Sequence, residues 1–485
     1  MTRASAVPLH KRLYIWSVIF EPLLFFVVFE EAVSGITGNL SRILQLIVVL
    51  VLIVRLLAVA PRAAAFDIPR IPRRLYLYFC IYFSLAVLAA VVGSLSGAYA
   101  LPGSYNPPVV QSSFAALLNS PAVRPTFEYV VALYYFIYFT VVTQYLLNTP
   151  ADIQYALSRF RIVFIVAFVI GIVDSLLSSV GIFLVPRHLS DLARVDATRF
   201  HGLAGEPRQA FVYLFLGLGI LHLEGHFRGR PISKWWIVLI VMAALLTQSA
   251  SGLIGILIFV GLYGLYAMST MSIPRLVQVM VLGAASIVLV YATVISSTRL
   301  MAYVKDASGL WQVVENGEEL PELMSKANSD IYPLYDLTRK IRSLDIVPVM
   351  IGSGFGSASA VTNRYYLTGA MTNPHSQLAR SLYESGIIGT FMLVMSFVHP
   401  VRSFTKRLTK RKQREFMLVM LLLLGVFFGQ RTSAPFIYLG MFAAAFSVFE
   451  VRVRYARLQD ARAFPRIMTT SDGHGEIAAL STRRP

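Results

Sequence analysis

The sequence predicts an all-α polytopic membrane protein with about 12 transmembrane helices and one large insert before the last three. Three observations lead there. Apolar residues make up 56% of the 485 residues, and the mean hydropathy is +0.65. They gather into about a dozen runs, most near the roughly 20 residues needed to cross a hydrocarbon core of about 30 Å. The one long polar stretch, Arg299 to Glu384, stands apart from them. In lipid a backbone must satisfy its own hydrogen bonds, and runs of this length do so as helices.

The runs follow in order at 13–33, 40–60, 75–95, 127–147, 162–185, 207–223, 235–248, 252–268 and 276–298, all within residues 1–298. The insert covers 299–384, and three more runs follow at 385–401, 416–430 and 434–450. Residues 451–485 have the polar composition of a disordered tail. The first run has basic residues before it but no small-residue cleavage site, so it reads as a retained span. Four acids fall inside runs: Glu21, Glu30 and Glu31 in the first and Asp174 in the fifth. Intramembrane carboxylates are costly and need partners. Glu30 and Glu31 lie near the outer end and can reach water. Asp174 lies deeper, and either makes an interhelix hydrogen bond or lines a polar cavity.

The net charge is +18. Such a balance can mean nucleic acid, but the positions of the charges point to a membrane instead. With the N-terminus inside, most of the 43 Lys and Arg fall in short inner segments. These include Lys11, Arg12, Arg70, Arg73, Arg74, Arg159, Arg161, Arg228, Lys234 and the cluster from Arg402 to Arg414. That is the positive-inside pattern, and it puts both termini in the cytoplasm and the insert outside. Cys80 is the only cysteine and lies within the third run, so no disulfide framework or thiolate cluster is expected.

The outer loop after the fifth run departs from this pattern. It holds Arg187, Arg194, Arg199 and Arg208, with His201 and Glu206. Insertion bias disfavours cations there. A guanidinium offers paired donors that match phosphate oxygens, so the cluster suggests a lipid-linked phosphate or pyrophosphate. Headgroup contact, or pairing with Asp191, Asp196 and Glu206, is the ordinary alternative. Glu206-Pro207 also suits a helix start, where an acid and a proline are both favoured.

A second group closes the insert. The turn Gly352-Ser-Gly-Phe-Gly356 is followed by Thr372-Asn-Pro-His-Ser-Gln-Leu-Ala-Arg-Ser-Leu-Tyr-Glu-Ser-Gly-Ile-Ile-Gly389. The glycine turn lacks the Lys-Ser/Thr ending of a nucleotide P-loop. From His375 the apolar spacing becomes helical, which sets His375 at the outer mouth of a membrane helix. A neutral imidazole can accept a proton there, although a lone histidine more often caps or hydrogen-bonds a helix.

Four segments in this order resemble the O-antigen ligase and polysaccharide polymerase superfamily of bacterial membrane proteins. They are Arg199-Phe-His-Gly-Leu-Ala-Gly-Glu-Pro207, Thr247-Gln-Ser-Ala-Ser-Gly252, Gly352–Gly356 and the Asn373–Gly389 stretch. The resemblance covers about residues 190–450, and the first spans match in architecture only. It implies a GT-C-like helical fold that transfers saccharide from undecaprenyl pyrophosphate on the periplasmic face of the inner membrane. It implies that Arg199 binds pyrophosphate and that His375 touches the acceptor hydroxyl. Ala250-Ser251 and Ser376 depart from the family pattern. Its early insert arginine has no clear counterpart here; Arg339 and Arg342 lie later.

The expected activity is therefore a polysaccharide polymerase that joins lipid-pyrophosphate-linked repeat units into O-antigen or exopolysaccharide. The catalytic candidates are His375 and Glu206. The pyrophosphate candidates are Arg199, Arg208, Arg194, Arg339 and Arg342. No metal, cofactor or nucleic acid is expected; the expected partners are the lipid-linked glycan, membrane lipids, and chain-length regulator and flippase proteins. A ligase delivering glycan to lipid A core is the alternative within the family. A transporter or flippase is the alternative outside it, though the related halves common in transporters are not seen.

Overall fold

A computed structural model of the chain describes residues 7–21, 23, 27–30, 37–58, 70–99, 123–182, 184, 199–204, 207–228, 232–249, 272–296, 331–365 and 377–405. It also describes single helical positions within 253–268, 301–312 and 436–444. The fold is helical. In order come α1 (Leu9–Phe20), the antiparallel strands β1 (Val27–Glu30) and β2 (Thr37–Asn39), α2 (Leu40–Ala58) and α3 (Arg70–Leu95). Then follow α4 (Arg124–Leu146), α5 (Pro150–Ser178), a 3₁₀ turn at Gly202–Ala204, α6 (Pro207–Arg228), α7 (Lys234–Leu246) and α8 (Ile273–Ser296). The insert contributes α9 (Ile331–Arg342), α10 (Ile346–Ile351) and α11 (Ser357–Tyr365), and α12 (Gln377–Thr405) re-enters the bundle.

Among the described residues, four stretches are long and apolar enough to cross a membrane: Leu75–Leu95, Arg124–Leu146, Pro150–Ser178 and Leu276–Ile295. Shorter apolar helices lie at Leu40–Val54, Ala210–Gly225 and Trp235–Leu246. The run at 416–430 and the tail 451–485 fall outside the described residues, and the runs at 252–268 and 434–450 fall largely outside them.

Two expected boundaries are corrected. The run at 13–33 is not one helix: α1 ends at Phe20 and the two-stranded ribbon follows. Pro22, just after Glu21, cannot donate to a helical ladder, and Val27, Val28 and Phe29 favour extended backbone. The fifth span begins at Pro150, not 162. Thr149 and Asp152 form a capping box around Pro150, a strong start signal. The 29 residues of α5 reach about 43 Å at 1.5 Å per residue. Arg159 and Arg161 thus belong to a helix, and Arg161 Nε pairs across to the buried Glu224 of α6 at 3.2 Å.

Aromatic packing joins the elements. The Phe79 ring of α3 stacks on Phe136 of α4 with centroids 4.3 Å apart. α4 widens into a π-helical segment at Ile137–Val142, and the Tyr14 hydroxyl donates to the Tyr138 carbonyl at 2.9 Å. Outward-facing Leu46, Leu50, Val87, Val91, Met280 and Val288 are exposed, as lipid-facing positions would be.

Helix direction defines two ends. At one, Lys11 of α1 pairs with Asp152 at the start of α5 at 2.7 Å and reaches Asn148, just after α4, at 3.4 Å. At the other lie the start of α4, the last turns of α3 and α5, and the first turns of α12. Both groups of motif residues sit at that second end.

Candidate functional site

The first group joins the loop at Arg199 to the end of α7. A helix leaves its last carbonyls without helical partners, and its C-terminus favours a cation. α7 ends at Leu246, and Gln248 takes a left-handed φ of 46°. The buried Arg199 guanidinium donates from Nε to the Thr247 carbonyl at 3.1 Å and from Nη2 to the Gln248 carbonyl at 3.5 Å. The Phe200 amide donates to the Leu246 carbonyl at 3.0 Å. Phe200 in turn lies on α5 at Gly171, where a Cβ would come within 2.8 Å of its ring. Two segments separate in sequence, at 199–200 and 246–248, are therefore one structural unit. His201 is buried beside Arg199.

The second group is built on glycine. Gly352, Gly354 and Gly356 have φ of 98°, 85° and 81°, a region that L side chains rarely adopt. α12 kinks at Gly386, with φ 64°. Near this kink the carbonyls of Tyr383 and Glu384 accept the Ser353 and Gly354 amides at 2.9 and 2.8 Å. The Glu384 carboxylate accepts the Gly356 amide at 2.8 Å. A Cβ on Gly352 would fall 2.5 Å from the Glu384 carbonyl oxygen, and one on Gly386 would fall 2.4 Å from the Met350 oxygen. Only a side chain of hydrogen on both strands permits this approach. Because the Gly352, Ser353, Gly354 and Gly356 amides all donate within the protein, the turn is not an open cradle for phosphate.

A buried ladder of alternating charges braces the turn. Arg124 Nη2 lies 3.2 Å from Glu128 Oε1, Glu128 Oε2 lies 2.9 Å from Arg380 Nη2, and Arg380 Nε lies 2.6 Å from Glu384 Oε2. Arg124 also donates to Ser359 Oγ of α11 at 3.1 Å. Burial opposes the Arg380 charge, but Glu384 and Glu128 outweigh it and raise its pKa. Burial, with the Glu384 carboxylate adding to it, likewise raises the pKa of the Tyr99 phenol beside Gly354. Beside the ladder, Lys340 of α9 pairs with Asp336 at 3.2 Å and donates to Ser353 Oγ and Tyr383 OH, each at 3.1 Å. The Tyr383 hydroxyl donates to Asp336 at 2.6 Å. Two arginines face two carboxylates and one lysine faces one. Local charge is balanced, and the ladder locks α4, α11, α12 and the glycine turn together.

Of the expected site residues, Arg199 is described and buried, and Arg339 and Arg342 are exposed at the last turn of α9. Lys340, between them, is the cation that meets the glycine turn. Arg208 opens α6, with its side chain outside the described residues. Arg194, Glu206 and His375 also lie outside them. The sequence reading passed over Arg124, Glu128, Asp336, Lys340, Arg380 and Glu384. One signal was available: each forms an opposite-charge i,i+4 pair, the spacing at which helical side chains meet. Asp174, open between two roles, accepts the Leu184 amide at 2.8 Å and closes the turn after α5. Glu21 is buried and accepts from Ser41, Arg42 and Gln45 of α2 at 2.8, 3.0 and 2.6 Å.

Searches against protein-family models, curated proteins and solved structures find no match to this chain.

Proposed function

We propose that this protein is a membrane glycosyltransferase that polymerises undecaprenyl-pyrophosphate-linked repeat units on the outer face of a bacterial inner membrane. The observation that carries this reading is the pairing of the four motif segments. Residues 199–200 meet 246–248, residues 352–356 meet 383–386, and both pairs lie at the end opposite Lys11–Asp152. On the positive-inside topology that end faces outward.

In the proposed step an acceptor sugar hydroxyl attacks the anomeric carbon of the donor glycan. The new glycosidic C–O bond forms as the C–O bond to pyrophosphate breaks, and the lipid pyrophosphate leaves. The hydroxyl proton passes to His375, with Glu206 as the rival base. Charge developing on the leaving group needs fixed cations, and Arg199, Arg194 and Arg208 of the outer loop are assigned that role. Arg339 and Arg342, exposed on the last turn of α9, are not used in this step.

The test is the glycan profile of cells lacking the protein. Loss of a polymerase leaves single repeat units on the product, and His375→Ala at wild-type protein level should reproduce that profile. Full-length polymer held on the lipid carrier would instead identify a ligase, and repeat units trapped inside would identify a flippase.

A further inference from the structure

The elbow between α9 and α10 has a composition that neither the fold nor the proposed chemistry uses. α9 ends at Arg342, and the chain reverses through Ser343, Leu344 and Asp345 into α10. The Asp345 amide donates back to the Lys340 carbonyl at 2.9 Å, closing the helix end. Leu344 occupies the left-handed position of that closure, with φ 57°. Glycine is the usual residue there because it carries no Cβ. A leucine at this position is strained, and its side chain is also 78% exposed. Ile341, Ile346 and Val347 around it are 52%, 61% and 52% exposed. Arg339 and Arg342 are exposed on the adjoining turn. Four large apolar side chains beside two cations would form a costly patch in water.

The height of the elbow supplies the explanation. α10 packs on α3 and α12 through Pro348 and Val349. The residues that follow it touch the spans themselves. A Cβ at Gly93 would lie 1.9 Å from the Ser353 carbonyl oxygen, and Gly93 is only two residues from the end of the apolar stretch Leu75–Leu95. That is about 3 Å along a helix. Lys340 ties α9 to the same level through Ser353. At this height α3 also exposes Val91 and Leu95, and α12 exposes Ile387. The elbow therefore stands where the bilayer's hydrocarbon meets its headgroups, and it continues an apolar surface already turned to lipid.

We propose that residues 339–347 form an interfacial anchor, with Ile341, Leu344, Ile346 and Val347 in the acyl region and Arg339 and Arg342 on lipid phosphates. The occupant is the surrounding bilayer, enriched in anionic headgroups. Amphipathic elements bind such surfaces by apolar burial plus attraction between cations and anionic lipid. The anchor presses the insert onto the membrane surface beside the glycine turn. It stands whether or not the protein transfers glycans.

The test uses the full-length protein with Cys80→Ser and Leu344→Cys, labelled with an environment-sensitive fluorophore. It is reconstituted into phosphatidylcholine vesicles with and without phosphatidylglycerol. The anchor predicts blue-shifted emission, strong quenching by lipids spin-labelled near the headgroup and weak quenching by aqueous iodide. Adding Arg339→Gln and Arg342→Gln should reduce the lipid quenching several-fold in phosphatidylglycerol vesicles and leave it unchanged in phosphatidylcholine alone. Ready quenching by iodide would overturn the proposal. So would protection from both quenchers, which would place a protein on the elbow. Lipid quenching indifferent to both arginines and phosphatidylglycerol would overturn the phosphate contact.

Discussion

At the scale of the residue, Arg199 is the position where local chemistry and proposed function meet. Its guanidinium closes the end of α7 on two carbonyls. Arg199→Ala removes both donors, and leaving buried acceptors unsatisfied typically costs about 1–3 kcal/mol. Thermal unfolding in detergent should show that loss. Arg199→Lys keeps the charge and can reach one carbonyl, but lacks the planar fork. It should unfold closer to wild type while still failing to make polymer. Wild-type polymer from Arg199→Lys would remove the pyrophosphate role and leave the capping one. Arg380 offers a different reading of a buried charge. Deleting it takes the Arg380 cation from Glu384 and leaves Glu128 with Arg124, and breaking a buried pair from one side costs about 3–5 kcal/mol. Arg380→Met should therefore destabilise strongly, whereas Arg380→Met with Glu384→Gln should recover part of the loss. Additive losses in the double variant would show that the two side chains do not couple.

At the scale of the element, the glycine turn and the kink in α12 make one joint. The i,i+4 pairs that brace it are visible in the sequence, but their partners across the joint are not. Arg380 meets Glu128, 252 residues away, and helical periodicity holds no information on that distance. Gly352→Ala tests the joint, because the new Cβ would press on the Glu384 backbone. Folded yield should collapse. Gly97→Ala is the matched control: Gly97 has φ 68° but nothing within 4 Å of a Cβ. It should lose only the left-handed penalty, about 1–2 kcal/mol. Equal yields from the two variants would mean that conformation, not close approach, sets the need for glycine. The first span teaches a similar lesson. Its apolar residues run on past Pro22, so hydropathy counts one element where the backbone makes a helix and a ribbon.

At the scale of the whole molecule, the arrangement of ends predicts what an external reagent can reach. With Cys80 replaced by Ser, a cysteine replacing Gly317 in the insert should label from outside intact cells. One replacing Gly473 in the tail should label only after permeabilisation. The reverse pattern would invert the topology and move both motif groups to the inner face.

Composition and the length of its apolar runs determined by themselves that this chain is helical and made for a membrane. In lipid only internally bonded backbone survives, and that constraint is local. The capping box of Thr149 and Asp152 is local in the same way, since it spans four residues of sequence. Pairing is another matter. Arg199 on the end of α7, Lys340 on Ser353, and the ladder from Arg124 to Glu384 each depend on where separate helices lie against one another. Charge balance inside a low-dielectric joint is a property of that packing, so only the tertiary structure decided which cations are buried in pairs and which, like Arg339 and Arg342, remain exposed.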